Sequence, residues 1–209
     1  MSEPSRQARP YHSPRREQHA DQTRQDILST ARDLFVTRGY GLVTMSDIAR
    51  AAGVAVKTVY TSVGTKSEVL HELLSGDVNE ARNSDTHAAI ENAPDLRSAV
   101  AAIAAVVRAD TERYSSSIDL LHAAMASDLG ARDIGKQIVE EYRDALRSRA
   151  ELLIAAGMVS PALDVDAVSD RLWFCFGLNS WRTLVGECGW DFQEAESWLS
   201  THCFRMLSE

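Results

Sequence analysis

Ala49, Gly53 and Val59 constrain the fold of this chain more tightly than any other feature of its sequence. The small side chain of Ala49 lets two helices approach. Four residues later Gly53 can take φ > 0 and reverse the chain, and the β-branched Val59 can lock a second helix onto the first. This is helix-turn-helix spacing, in which the second helix enters the DNA major groove. The flanks agree. Thr44 can cap the first helix, with Asp47 three residues on as a weaker capping-box partner, and Ile48, Ala49 and Ala52 form its buried stripe. Upstream, Ile27, Leu28, Ala31, Leu34 and Phe35 repeat at helical spacing and stop at Gly39, with Arg38 suited to the helix C-terminus. Downstream, Thr65 and Glu68 form a capping box that opens a helix carrying Val69, Leu70, Leu73 and Leu74. Many helical hairpins hold an Ala-Gly pair; the whole ordered set is specific to a DNA reader.

That ordered set resembles the TetR family of bacterial transcriptional repressors. The resemblance rests on Ile27 to Phe35, Arg38-Gly-Tyr40, Thr44, Asp47-Ile-Ala49, Ala52-Gly-Val54, Lys57-Thr-Val-Tyr60 and Lys66-Ser-Glu with Leu70, and covers residues 22–72. It implies an N-terminal DNA reader joined by a fourth helix to a helical C-terminal domain whose last two helices form a dimer interface. It also implies that Thr44, Thr58, Tyr60 and Lys66 grip phosphates, and that Ser46 reaches a base. The chain departs from the family at Thr61, Ser62 and Val63, where rings are common, so its operator sequence cannot be borrowed from relatives.

Read from the residues themselves, the second helix of the pair runs from about Ala55 to Tyr60. Val56 or Val59 faces inward with Val54, and Ala55, Lys57, Thr58 and Thr61 face outward. Lys57 suits a guanine O6/N7 contact, and Ala55 or Val56 a thymine methyl. Lys66 lies at a helix N-terminus, where free N–H groups favour an anion. Thr44 and Thr65 have capping as their alternative role, and Tyr60 has packing.

The charge divides unevenly. Residues 1–75 hold ten Lys/Arg against eight Asp/Glu, and residues 76–209 hold twelve against twenty-two, within a net charge of −8. A basic reader on an acidic body gives this pattern, as do two ordinary solvated surfaces. The three cysteines, Cys175, Cys188 and Cys203, lack disulfide-framework spacing, which points to a reducing cytoplasm. No run of about 20 apolar residues exists to cross a membrane, and the N-terminus lacks a signal-peptide pattern. Residues 1–20 read as a disordered basic tail in which Arg6, Arg9, Arg15 and Arg16 can reach DNA or stay idle. Residues 21–70 form the reader and 71–209 the sensing and dimerisation domain.

Helical periodicity continues to the C-terminus without strand alternation, so the fold class is all-α. Val165 to Val185 is apolar almost all round and reads as one helix buried on several sides. Its aromatic excess fits a shared homodimer interface, with Leu178, Trp181, Arg182, Val185, Trp198 and Leu199 as contacts. Beside it a cavity suits a mostly apolar small-molecule effector, with Tyr114, His122, Met125, Trp173, Phe176 and Asn179 as candidate ligand-binding residues. Tyr114, His122, Asn179 and Arg182 have structural roles as their alternative. No metal site is expected, because the adjacent His202 and Cys203 diverge on a helix, and no cofactor is expected. Without a Gly-rich phosphate loop, GxSxG, CxxC or HExxH, no enzyme is expected either. The partners are then double-stranded DNA, a second copy of the chain and a candidate effector. A DNA-binding regulator without an effector and a helical interaction protein are the competing readings.

Overall fold

Helix boundaries in this chain follow the side chains that cap them. The computed structural model describes residues 14–82 and 86–209, with side chains described over 18–74 and 86–209. Helix α1 (Pro14–Arg38) leads through a 3₁₀ turn (Tyr40–Leu42) to α2 (Met45–Ala51) and α3 (Val56–Val63). Helix α4 (Lys66–Arg82) connects this unit to α5 (Thr86–Glu91), α6 (Leu96–Arg113), α7 (Ser115–Ser127) and the long α8 (Leu129–Ala155). The chain ends with α9 (Val165–Phe176), α10 (Leu178–Trp181) running into a π-helical turn (Arg182–Glu187), and α11 (Phe192–Ser208). The architecture is all-α, with no strand among the described residues. No described helix is long and apolar enough to cross a membrane.

Two apolar cores sit one above the other. The first joins Ile27, Ala31 and Phe35 of α1 to Ile48, Val59, Leu70 and Leu74, and extends to Leu121 and Ala124 of α7. The second joins Ile103 and Val107 of α6 to Leu146 and Leu153 of α8, Leu172 and Phe176 of α9, and Leu199, Cys203 and Leu207 of α11. Both cores follow the helical stripes visible in the sequence.

Two boundaries differ from the sequence reading. Residues 14–20, assigned to the tail, are the first turns of α1, with Pro14 at its first position. Proline needs no N–H there, and a polar stretch propagates a helix already fixed by packing. Residues 1–13, with Arg6 and Arg9, lie outside the described residues, as do the side chains of Arg15 and Arg16. The Asp128 carboxylate caps α8 by accepting from the Ala131 N–H at 2.9 Å. Finally, the apolar stretch 165–185 is not one helix. A Cβ on Gly177 would lie 2.5 Å from the Trp173 carbonyl oxygen, and the chain becomes extended there, at ψ 161. The Gly177 N–H still donates to the Trp173 carbonyl at 2.8 Å.

Candidate DNA-reading face and sensor core

The reader is assembled by two capping boxes and one reversal. The Thr44 hydroxyl accepts from the Asp47 N–H at 3.1 Å, while the Asp47 carboxylate accepts from the Thr44 N–H at 3.0 Å. The Thr44 hydroxyl also donates to the Asp47 carboxylate at 2.6 Å, and this bond, then the one from the Thr44 N–H, holds the Asp47 carboxyl below its ordinary range. The Thr65 N–H donates to Glu68 at 2.6 Å, and the Thr65 hydroxyl accepts from the Glu68 N–H at 3.3 Å. Between α2 and α3, Gly53 adopts φ 68. Val54 N–H then reaches the Ala49 carbonyl at 3.0 Å, and Gly53 N–H reaches Arg50 at 3.4 Å. This is a Schellman closure, which satisfies the last carbonyls of α2 and aims α3 away from it.

Val59 and Val63 of α3 are buried, which turns the opposite face to solvent. That face presents Lys57, Tyr60 and Thr61, with Thr58 half-buried, while Ala55 and Val56 are exposed at the start of the helix. Of the two inward alternatives, Val59 fills the core, and Val56 is 40% exposed. Tyr60 is 51% exposed, so it projects instead of packing. Thr44 and Ser46 at the start of α2 are also exposed. Thus eight of the nine candidate DNA residues lie on α2, α3 or their caps, seven of them exposed and Thr58 half-buried.

The ninth, Lys66, stands apart. It is half-buried at the first position of α4. Its ammonium lies 4.1 Å from the centroid of the Tyr40 ring, and burial lowers its pKa while the Asp128 charge opposes that shift. Tyr40 is itself buried; burial first and Asp128 second push its phenol up to about 12. The junction of reader and body is tight around this pair. A Cβ on Gly41 would meet the Ser127 Cβ at 3.3 Å, and one on Gly130 would meet Ser67 at 3.1 Å.

Sequence reasoning missed one clamp. Arg24 of α1 donates from Nε to Glu72 of α4 at 2.8 Å and from Nη1 to the carbonyl of Ser62 in α3. A single guanidinium therefore fixes the C-terminal end of the reading helix against two others. The partners lie 38 and 48 residues away in sequence, so no local pattern marks them.

The C-terminal candidates do not gather at one place. Met125 packs against the reader core, where its Sδ fills the space a Cβ on Gly135 would need. Phe176 is fully buried in the second core, and its carbonyl accepts from the Tyr142 hydroxyl at 2.7 Å. Trp173 stands edge-on to Tyr142, at 5.7 Å between centroids. Tyr114 and His122 are half-buried, and Asn179 is exposed on α10. His122 Nε2 is buried without a hydrogen-bond partner, and burial, then the charge of Arg182, lower the His122 pKa.

Two of the six dimer candidates are corrected. Trp181 and Leu199 are only 1% and 3% exposed within their own protomer, so neither offers surface to a second copy. The inward stripe of α11 is Ala195, Leu199, Cys203 and Leu207, which leaves Trp198 facing out at 41% exposure. Arg182 is exposed, and Leu178 and Val185 are half-buried. Phe174 of α9, absent from that candidate set, is 69% exposed. A segment apolar on every side carries no phase in its sequence, so packing alone decides that Phe174 faces out and Trp181 faces in.

Comparison with known proteins covers both parts. Residues 27–73 match the family of bacterial regulatory proteins described as the tetR family. Over 43 residues the chain is 42% identical to the HTH-type transcriptional regulator AlkX of Mycobacterium tuberculosis, a match spanning 21% of this chain and only 20% of that regulator's length. The fold as a whole is similar to the fatty acid degradation regulator FadR from Bacillus halodurans, at a TM-score of 0.64 and 16% identity over 93% of this chain and 96% of that one. It is also similar to the transcriptional regulator FadR from Bacillus subtilis, solved in complex with stearoyl-CoA, at a TM-score of 0.67 and 17% identity over 86% and 97% of the two chains.

Proposed function

Since residues 27–73 of this chain match the tetR family of bacterial regulatory proteins, we propose that it is a cytoplasmic, sequence-specific DNA-binding regulator that represses from a palindromic operator and is released by a mostly apolar small molecule. The outward face of α3 carries this reading. Lys57, Tyr60 and Thr61 are exposed there while Val59 anchors the helix. That arrangement suits insertion into the major groove, with Lys57 toward a base edge and Thr44, Thr58 and Tyr60 toward phosphates.

A single reader of this size has few contacts, and a homodimer doubles them. Phe174 and Trp198, exposed on α9 and α11, support pairing through the last helices. Two-fold pairing implies half-sites about one DNA turn apart, ~34–36 Å. The stearoyl-CoA of the Bacillus subtilis neighbour has an apolar acyl chain, which supports an effector of partly apolar chemistry here. Release requires the effector to bind the form of the protein that does not fit DNA, and DNA must weaken effector binding by the same factor. Selection from random duplex oligonucleotides tests the proposal. The expected product is an inverted repeat whose halves are centred about 10 base pairs apart, or a multiple of that; a pool with no enriched sequence rejects the reading.

A further inference from the structure

We propose that Arg149 holds the acidic group of the effector, and that the effector is an apolar molecule bearing one carboxylate. This rests on the ligand-sensing reading above and specifies its chemistry. Arg149 lies on α8 and is 9% exposed. Its Nε and Nη1 are buried, and no described residue accepts a hydrogen bond from them. Two other arginines of the domain are matched with acids. Arg108 donates to Glu196 at 2.5 Å and to Glu112 at 2.9 Å, and Arg143 donates to Asp170 at 2.7 Å. Arg149 is the buried exception.

The groups around it do not supply the missing acceptor. Asp110 of α6 is the acid whose charge Arg149 feels, yet no ion pair joins the two among the described residues. Tyr142, two turns earlier on the same face of α8, gives its hydroxyl proton to the Phe176 carbonyl. Leu146, Ala150 and Leu153 on Arg149's own helix are fully buried and apolar. A guanidinium stays protonated in proteins, so this position keeps a desolvated cation with unmatched donors, an unfavourable arrangement unless an anion arrives. A carboxylate has the planar two-oxygen edge that a guanidinium recognises. The apolar side chains beside it on α8 favour a ligand whose remainder is hydrocarbon over a free inorganic anion. Burial pushes the Asp110 carboxyl up, so it can take a proton when a second anion enters.

Calorimetry on the full chain tests this with matched probes: octanoate against 1-octanol, and 4-phenylbutyrate against 4-phenylbutanol. Wild-type protein should prefer the acid in at least one pair by about tenfold or more, the scale of one charge-assisted hydrogen-bonded pair. Arg149→Gln should erase that preference and retain alcohol binding; Arg149→Lys should keep part of it. Equal affinity for acid and alcohol in both pairs overturns the role of Arg149 but leaves an apolar pocket standing. No binding of any probe overturns the proposal together with the ligand-sensing reading. Specific DNA binding, measured separately on the same samples, is unaffected by either failure. The wild-type ratio needs no variant, so a poorly folding Arg149→Gln protein still leaves a decisive result.

Discussion

The Lys66 ammonium lies 4.1 Å from the centroid of the buried Tyr40 ring, at the point where the reader meets the body. One residue thus serves two surroundings. It opens α4, where free N–H groups favour a phosphate, and it feels the opposite charge of Asp128 at the cap of α8. In the proposed reading, DNA and the body compete for the same cation.

Lys66→Ala should weaken DNA binding equally on all sequences and reduce the slope of log affinity against log salt by about one phosphate contact. Asp128→Asn should strengthen binding, because the competing carboxylate is gone. Fluorescence anisotropy across a salt series checks both. An unchanged slope in Lys66→Ala would show that this ammonium stays on Tyr40 when DNA is bound.

Dimer formation should depend on the rings that face outward. Phe174→Glu or Trp198→Glu should yield monomers in sedimentation at micromolar concentration while helix content by circular dichroism stays the same. Leu199→Glu should instead unfold the body, since that side chain is 3% exposed and a buried unpaired charge is strongly destabilising. If Phe174→Glu and Trp198→Glu leave a stable dimer, the interface lies elsewhere.

His122 should make stability depend on pH near neutrality. Burial first, and then the Arg182 charge, lower its pKa from the ordinary 6.5, with Asp119 opposing. The unfolded chain therefore binds a proton that the folded chain resists. Stability is full above about pH 6.5 and falls as pH drops from there toward the lowered folded value, by up to about 1.4 kcal/mol per pH unit. In His122→Gln, thermal melts between pH 7 and 5 should lose this component. An identical pH profile in the variant would mean His122 ionises freely in the fold.

The reader was legible because its determinants are local. Thr44 and Asp47 are three residues apart, Gly53 follows Ala49 by four, and each acts on its own helix end. The outward face of α3 followed from the burial of Val59, which its spacing from Ala49 predicts. The Arg24 clamp was invisible, because a charged residue on a helix does not reveal a carbonyl 38 positions away. The break at Gly177 was equally hidden. The extended backbone at Gly177 leaves no room for a Cβ against the Trp173 carbonyl and ring, a backbone detail that composition, reading 165–185 as a continuous helix, does not carry. Trp181 and Trp198 have the same side chain and opposite fates, because only tertiary packing fixes which side of an apolar helix faces inward. The candidate effector residues scattered for the same reason, and the unmatched donors of Arg149 emerged only from packing.

The most direct test of the central claim, that α3 reads bases, is a base-by-base affinity scan of the selected operator with wild type and Lys57→Ala. Wild type should discriminate at a position in each half-site contacted by Lys57. The variant should lose roughly 1–3 kcal/mol there and accept any base, with its other preferences intact. A uniform loss at every position would make Lys57 a phosphate contact, and an unchanged scan would contradict the placement of α3 in the major groove.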